Sequence, residues 1–179
     1  VLHPGCLIIS LGLWVKSYFE NKKYFAAIND AVIDSLSSYD SSLKDLYQDG
    51  LSDLCFAGKK VAGTSLFRSR NYLLYQASIL CENDLSLINR YLRHPSKEPE
   101  YRQGKDHESF MTDLKTILGF CKLETLKQTV EETLTKSLRD KLGSDLLESQ
   151  EKQVPHLLTK AKAPMVAVQP KSFQIEKTV

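Results

Sequence analysis

No two of the four cysteines stand at CxxC spacing. Cys6, Cys55, Cys81 and Cys121 are scattered along the chain, so neither a zinc site nor a disulfide framework has support, and a reducing, cytoplasmic setting fits best. Long apolar runs are also missing. The strongest, Cys6 to Val15, covers ten residues and is interrupted by Ser10 and Gly12, whereas a membrane helix needs ~20. Nor is there an excess of one charge: 24 Lys and Arg stand against 22 Asp and Glu, a formal +2. Without a basic run there is no nucleic-acid footprint, and Lys97, Arg102 and Lys105, set among Glu98, Glu100, Asp106 and Glu108, read as a solvated loop. The chain lacks the Gly-x-x-x-x-Gly-Lys-Ser/Thr phosphate loop, and Ser10, Ser65 and Ser78 lack a Gly-x-Ser-x-Gly elbow. His94, His107 and His156 have no second His or Cys at i+2 to i+4 and read as solvated.

What remains is ordinary globular composition, 42% hydrophobic and 26% charged over 179 residues, enough for one domain with a core. The run Leu7 to Val15 predicts a strand buried on both faces. From Asn21, the residues Tyr24, Phe25, Ile28, Val32 and Leu36 recur at helical spacing until a serine-rich stretch, Ser35 to Ser42, ends the pattern. Three strands follow, Ser52 to Ala57, Lys60 to Phe67 and Tyr72 to Cys81, with turns near Gly58-Lys59 and at Arg68 to Asn71. Asn83 or Asp84 caps a helix through Leu85, Ile88, Tyr91 and Leu92, and His94 to Ser109 is a surface loop. Thr125 to Leu142, stopped by Gly143, is a long amphipathic helix that continues as a hairpin through Leu146 and Leu147; Met165 to Val168 adds an edge strand. This order predicts an α+β fold, a mixed and mostly antiparallel sheet flanked by helices, with a catalytic part over residues 1–120 and a helical extension and tail over 121–179. The chain opens on Val1 beside an apolar run and is expected to begin inside its domain.

The stretch Ser52 to Ser65 concentrates the chemistry. A hairpin there brings Asp53, at the start of one strand, towards Lys60 and Gly63 on the next. A fixed ammonium is a point charge suited to phosphate or carboxylate oxygens, a glycine lets a ligand approach the backbone, and an aspartate is a ligand type that Mg²⁺ accepts alongside phosphate. Taken alone, a lysine beside a hairpin turn is most often a solvated surface residue, and one carboxylate is no metal site.

The same stretch resembles a family. Ser52-Asp53-Leu54 followed by Lys60-Val61-Ala62-Gly63-Thr64 looks like the Asn-Asp-Leu and Lys-hydrophobic-small-Gly-Ser pattern of lipoate-protein ligases within the biotin and lipoate ligase superfamily. Val1 to Gly5 is similar to the end of the family's Gly-Gly-Gly-x-Val-x-His motif, Ser78 to Leu85 to its strand and helix after the lysine, and Tyr101 to Leu114 to its Arg-x-x-x-Phe-x-Thr-Asn-Leu region. The resemblance implies an enzyme that activates lipoate with ATP and Mg²⁺ to lipoyl-adenylate. It then passes the lipoyl group to a lysine of an acceptor lipoyl domain, on a 2-oxoacid dehydrogenase E2 or a glycine cleavage H protein. It implies Lys60 as the catalytic residue, contacting phosphate and acyl carbonyl. His3, Ser52, Asp53, Gly63, Thr64 and Gln76 would bind substrate or nucleotide, with Asp53 also near Mg²⁺.

Two positions depart from the pattern, Ser52 where the family has Asn and Gln76 where many ligases have His, and the Arg and triple-Gly stretch expected before Val1 is outside the chain. These departures keep a non-catalytic acyl-binding or lipoyl-domain-binding homologue open. Octanoyltransferases share the fold and some use a cysteine, although Cys55, Cys81 and Cys121 lie in apolar patterns that suit inert thiols. Biotin ligases share the Lys-Val-Ala-Gly segment; the Tyr101 to Leu114 region leans towards lipoate.

Overall fold

Alternation of apolar and small or polar residues organises five antiparallel strands into one sheet, ordered β1-β5-β4-β3-β2. They are β1 (Cys6–Trp14), β2 (Tyr47–Asp49), β3 (Asp53–Phe56), β4 (Lys59–Ser69) and β5 (Tyr72–Leu80). The computed structural model describes residues 5–16, 20–95 and 98–146, which fall in a compact unit spanning 1–147. His3, Lys97, Leu147, His156 and the Met165 to Val168 run lie outside the described residues.

One face of the sheet is covered. Helix α1 (Asn21–Tyr39) buries Tyr24, Ile28, Val32 and Leu36, as its spacing predicts, and the last long helix, α5 (Leu123–Leu142), buries Leu126, Val130, Leu134, Leu138 and Leu142. The two pack together, with Ser35 Oγ and Thr133 Oγ1 2.6 Å apart across their interface. Each fully buried leucine or isoleucine in that interior contributes roughly 1.5–3 kcal/mol. Helix α1 ends at Tyr39, inside the serine stretch expected to stop it; Ser37 and Ser38 remain helical because they donate their hydroxyls to the carbonyls of Ile33 and Asp34. Gly143, at φ 46°, ends α5. The expected helical hairpin does not follow: a short 3-10 turn leads Leu146 into an antiparallel bridge with Val15.

Among the described residues, the other face of the sheet is left open. Pairing sets Ile8, Ser78, Gly63 and Asp53 in one row across the strands, Ser10, Gln76 and Ser65 in the next, then Gly12, Leu74 and Phe67. Here β1 corrects the expectation of a strand buried on both faces. Leu7, Ile9 and Leu13 are buried against the helices, while Ile8 and Trp14 on the open side are 46% and 38% exposed.

Short helices return the chain to the sheet: α2 (Leu85–Tyr91), α3 (His107–Phe110) and α4 (Leu114–Leu118), capped by Asp84, Asp106 and Asp113 respectively. Between α3 and α4, Thr112 N donates to Lys60 O at 2.9 Å and Met111 forms a parallel bridge with Lys60. No helix among the described residues is long and apolar enough to cross a membrane.

Candidate active site around Lys60

The tight turn between β3 and β4 is Ala57-Gly58, both at positive φ (47° and 76°), as a two-residue hairpin with right-handed strand twist requires. Three residues on, the ladder slips. Asp53 pairs with Gly63 and Leu54 with Ala62, but Cys55 pairs with Lys60, leaving Val61 as an extra residue on β4. In a regular pleat Lys60 and Gly63, an odd number of residues apart, would face opposite sides. A bulge re-aims the side chain. Lys60 thereby joins Gly63 and Asp53 at the open face.

The result is a compact charged pair. Lys60 Nζ lies 2.6 Å from Asp53 Oδ1, with the two side chains 24% and 11% exposed. The lysine stem crosses Gly63, where an added Cβ would stand 3.4 Å from both Cε and Nζ of Lys60. The other carboxylate oxygen, Asp53 Oδ2, accepts a hydrogen bond of 2.6 Å from Tyr101 Oη. Tyr101 in turn accepts from Cys55 Sγ at 3.6 Å. Burial, followed by the Asp53 hydrogen bond, pushes the Tyr101 hydroxyl well above its ordinary value, so it stays a donor.

The remaining predicted residues are distributed around this pair. Gln76 is exposed on the open face, one row beyond Gly63 and between Ser10 and Ser65. Ser52 presents its carbonyl to Thr64, whose N and Oγ1 donate to it at 2.7 and 2.8 Å. Thr64 is 8% exposed, with its side chain on the helix-facing side of β4, so it ties the β2–β3 turn to the sheet rather than standing beside Lys60. His3 lies outside the described residues.

The sequence places Tyr101 in a family-like segment but assigns it no part in the site, and its loop has the composition of solvated surface. That reading is corrected at Arg102, which is 5% exposed, with its guanidinium 4.7 Å from the Phe110 ring centroid and Nε donating to Lys105 O. An aromatic platform, the Lys105 carbonyl and the Glu98 carboxylate, 3.4 Å from Nε, compensate a cation that local composition places in water.

Asp53 has both oxygens engaged, and among the described residues no group of three His, Cys, Asp or Glu side chains could hold a metal ion. The thiols of Cys55, Cys81 and Cys121 are held protonated. Burial pushes Cys55 up to about 11, aided by the Asp53 and Asp49 carboxylates, and pushes Cys81 up to about 12; Cys121 is raised in the same way.

Comparison with known proteins identifies the family and the fold. The family described as lipoyl protein ligase A/B catalytic domain matches residues 1–137. A curated relative, inactive lipoate–protein ligase 2 of Plasmodium falciparum (isolate 3D7), is 35% identical over 60 residues, which is 34% of this chain and 16% of that protein. A bipartite lipoate protein ligase from Thermoplasma acidophilum, described with its E2 lipoyl domain, superposes with a TM-score of 0.59 at 20% identity over 88% of this chain and 61% of that one. The biotin protein ligase of Aquifex aeolicus in complex with biotin and ATP gives a TM-score of 0.53 at 19% identity, over 83% of this chain and 56% of that one. At such identities the likeness is one of fold, and it bears out the α+β architecture. The chain spans about three fifths of the solved structures and under a fifth of the curated relative.

Proposed function

The chain belongs to the lipoyl protein ligase A/B catalytic-domain family, and on that premise we propose that its full-length protein activates lipoate with ATP and transfers the lipoyl group to a lysine of an acceptor lipoyl domain. The observation that carries this reading is the Lys60 ammonium, held over Gly63 by Asp53 at the open face.

The chemistry follows from the donors that Lys60 has left. An ammonium offers three hydrogens. Asp53 takes one, and two remain for oxygens approaching across the open face. In the first step a lipoate oxygen attacks the α-phosphate of ATP and the bond to pyrophosphate breaks, with negative charge growing on the phosphate oxygens beside Lys60. In the second, the acceptor amine attacks the acyl carbon, charge grows on the acyl oxygen, and AMP leaves as the amide forms. The lysine stabilises charge in both steps and never becomes a nucleophile. Gly63, Ser78, Ser10 and Ser65 give the adjoining rows a floor of small residues, over which an acyl-adenylate lies close to the backbone. Any Mg²⁺ would arrive with the nucleotide, held by its phosphates.

Acceptor domains of a 2-oxoacid dehydrogenase E2 or a glycine cleavage H protein are the partners this reading names. In support, the Thermoplasma ligase is described with its E2 lipoyl domain. The nucleotide has similar support from the Aquifex ligase with biotin and ATP. Among acyl alternatives, an octanoyl transfer that depends on a cysteine is disfavoured by Cys55, Cys81 and Cys121, all held as thiols. A biotinyl group on the same scaffold is decided by the product.

A second reading is a homologue that binds an acyl ligand or a lipoyl domain without turnover. The inactive Plasmodium relative favours it, as do Ser52 at the family's Asn position and an Asp53 with both oxygens engaged. Pyrophosphate release by the full-length protein with lipoate, ATP and Mg²⁺ separates the two. Release that falls by ~10²-fold or more in Lys60→Ala supports the ligase. Lipoate or lipoyl-domain binding without release supports the binding protein.

A further inference from the structure

We infer that Tyr101 is a positioning residue for Lys60, acting through Asp53. The inference rests on the reading of Lys60 as the charge that meets substrate.

An aspartate side chain has two torsions, and a single contact at one oxygen leaves the carboxylate free to swing. Here the two oxygens are divided. Oδ1 takes the Lys60 ammonium and Oδ2 takes the Tyr101 hydroxyl, each at 2.6 Å. Because Cys55 Sγ donates to the same phenolic oxygen, the single Tyr101 proton is directed to Asp53. With both oxygens fixed, the ammonium is held at one place over Gly63.

Tyr101 is itself anchored. Its ring packs on Phe110 with centroids 5.2 Å apart, and its Cε1 lies so close to Gly50 that an added Cβ there would stand 3.5 Å away. Arg102, the next residue, is pinned over the same Phe110. Past Phe110, Thr112 N bonds to the Lys60 carbonyl. One segment, residues 98–112, thus grips Lys60 twice, at its backbone through Thr112 and at its ammonium through Tyr101 and Asp53. The second grip needs only a hydroxyl, so Tyr101→Phe removes it and keeps the ring.

The test is competitive acetylation of the full-length protein with a trace of acetic anhydride. Lys60 labelling is read by mass spectrometry relative to its exposed neighbour Lys59, in the wild type, Tyr101→Phe, Asp53→Asn and the double variant. The expected result is a rise of about fivefold to tenfold in the Lys60 to Lys59 ratio in Tyr101→Phe, the factor that accompanies loss of a charge-assisted hydrogen bond. Asp53→Asn gives a rise at least as large, and the double variant gives no more than Asp53→Asn alone, since the hydroxyl acts through the carboxylate. A wild-type ratio in Tyr101→Phe overturns the inference. So does a double variant in which the two effects multiply, and so does a rise shared by all lysines, which would assign the hydroxyl to the fold. Labelling needs no turnover, so a wild-type protein without ligase activity would sink the proposed function and leave this result to decide Tyr101.

Discussion

Lys60 lies across Gly63 so closely that a methyl group on the glycine would touch the ammonium it supports, at 3.4 Å from Nζ. The position therefore has room for a methyl group and little more. Its role is not conformational, since its φ is not positive. Alanine at this position meets an ordinary van der Waals contact and should be tolerated. A longer side chain claims the volume through which the lysine reaches Asp53.

Gly63→Leu is accordingly expected to lower pyrophosphate release by ~10²-fold, because a misplacement of about 1 Å at a charge-stabilising group costs that much. Gly63→Ala should stay within about threefold of wild type, and both proteins should keep the far-ultraviolet circular dichroism of the parent. Equal activity in Gly63→Leu and wild type would remove Gly63 from the site.

Alkaline pH should weaken the fold. The Cys55 and Cys81 thiols are pushed up to about 11 and about 12, mainly by burial, and burial also raises the Tyr75 hydroxyl. In the unfolded chain the thiols ionise near their ordinary 9.0. Above that pH the unfolded state binds fewer protons than the folded one, so the stability present below about pH 9 is lost as pH rises through 11 to 12. Melting temperature should therefore hold from about pH 7 to 8.5 and fall steadily above about pH 9, with a shallower fall in the Cys55→Ala, Cys81→Ala double variant. An unchanged slope in that variant would assign the loss to other groups.

Asn29 is fully buried, accepts from Tyr75 Oη at 2.7 Å and donates to Gln48 Oε1 at 2.8 Å, joining α1 to β5 and β2. Asn29→Ala leaves the Tyr75 hydroxyl without that acceptor in the interior, and about 2 kcal/mol of unfolding free energy should be lost. Tyr75→Phe added to it should recover part of the loss, because removing both partners is less costly than stranding one. Urea denaturation measures this. Strict additivity of the two substitutions would contradict the hydrogen bond.

Where chemistry acts locally, the sequence was readable. Gly58 marked the β3–β4 turn, the four-residue spacing of leucines marked α5, and Asp84 marked the start of α2. The face on which Lys60 lies was not readable, because alternation assigns it opposite to Gly63 and only pairing with β3 reveals the extra residue Val61. Tyr101 was hidden for a related reason. Its partner Asp53 lies 48 positions away, and the charged residues around it carry the composition of a solvated loop. The serine stretch places the end of α1 only approximately, since hydroxyls such as those of Ser37 and Ser38 can bond back onto helix carbonyls and the helix persists to Tyr39.

The central claim is that the Lys60 charge drives transfer of a lipoyl group. Its most direct test is the mass of a lipoyl-domain acceptor incubated with the full-length protein, ATP, Mg²⁺ and an equal mixture of lipoate, octanoate and biotin. A single lipoyl increment is expected, absent when the acceptor lysine is replaced and reduced by ~10²-fold in rate in Lys60→Ala. An unmodified acceptor, a biotinyl increment, or an undiminished rate in Lys60→Ala would contradict it.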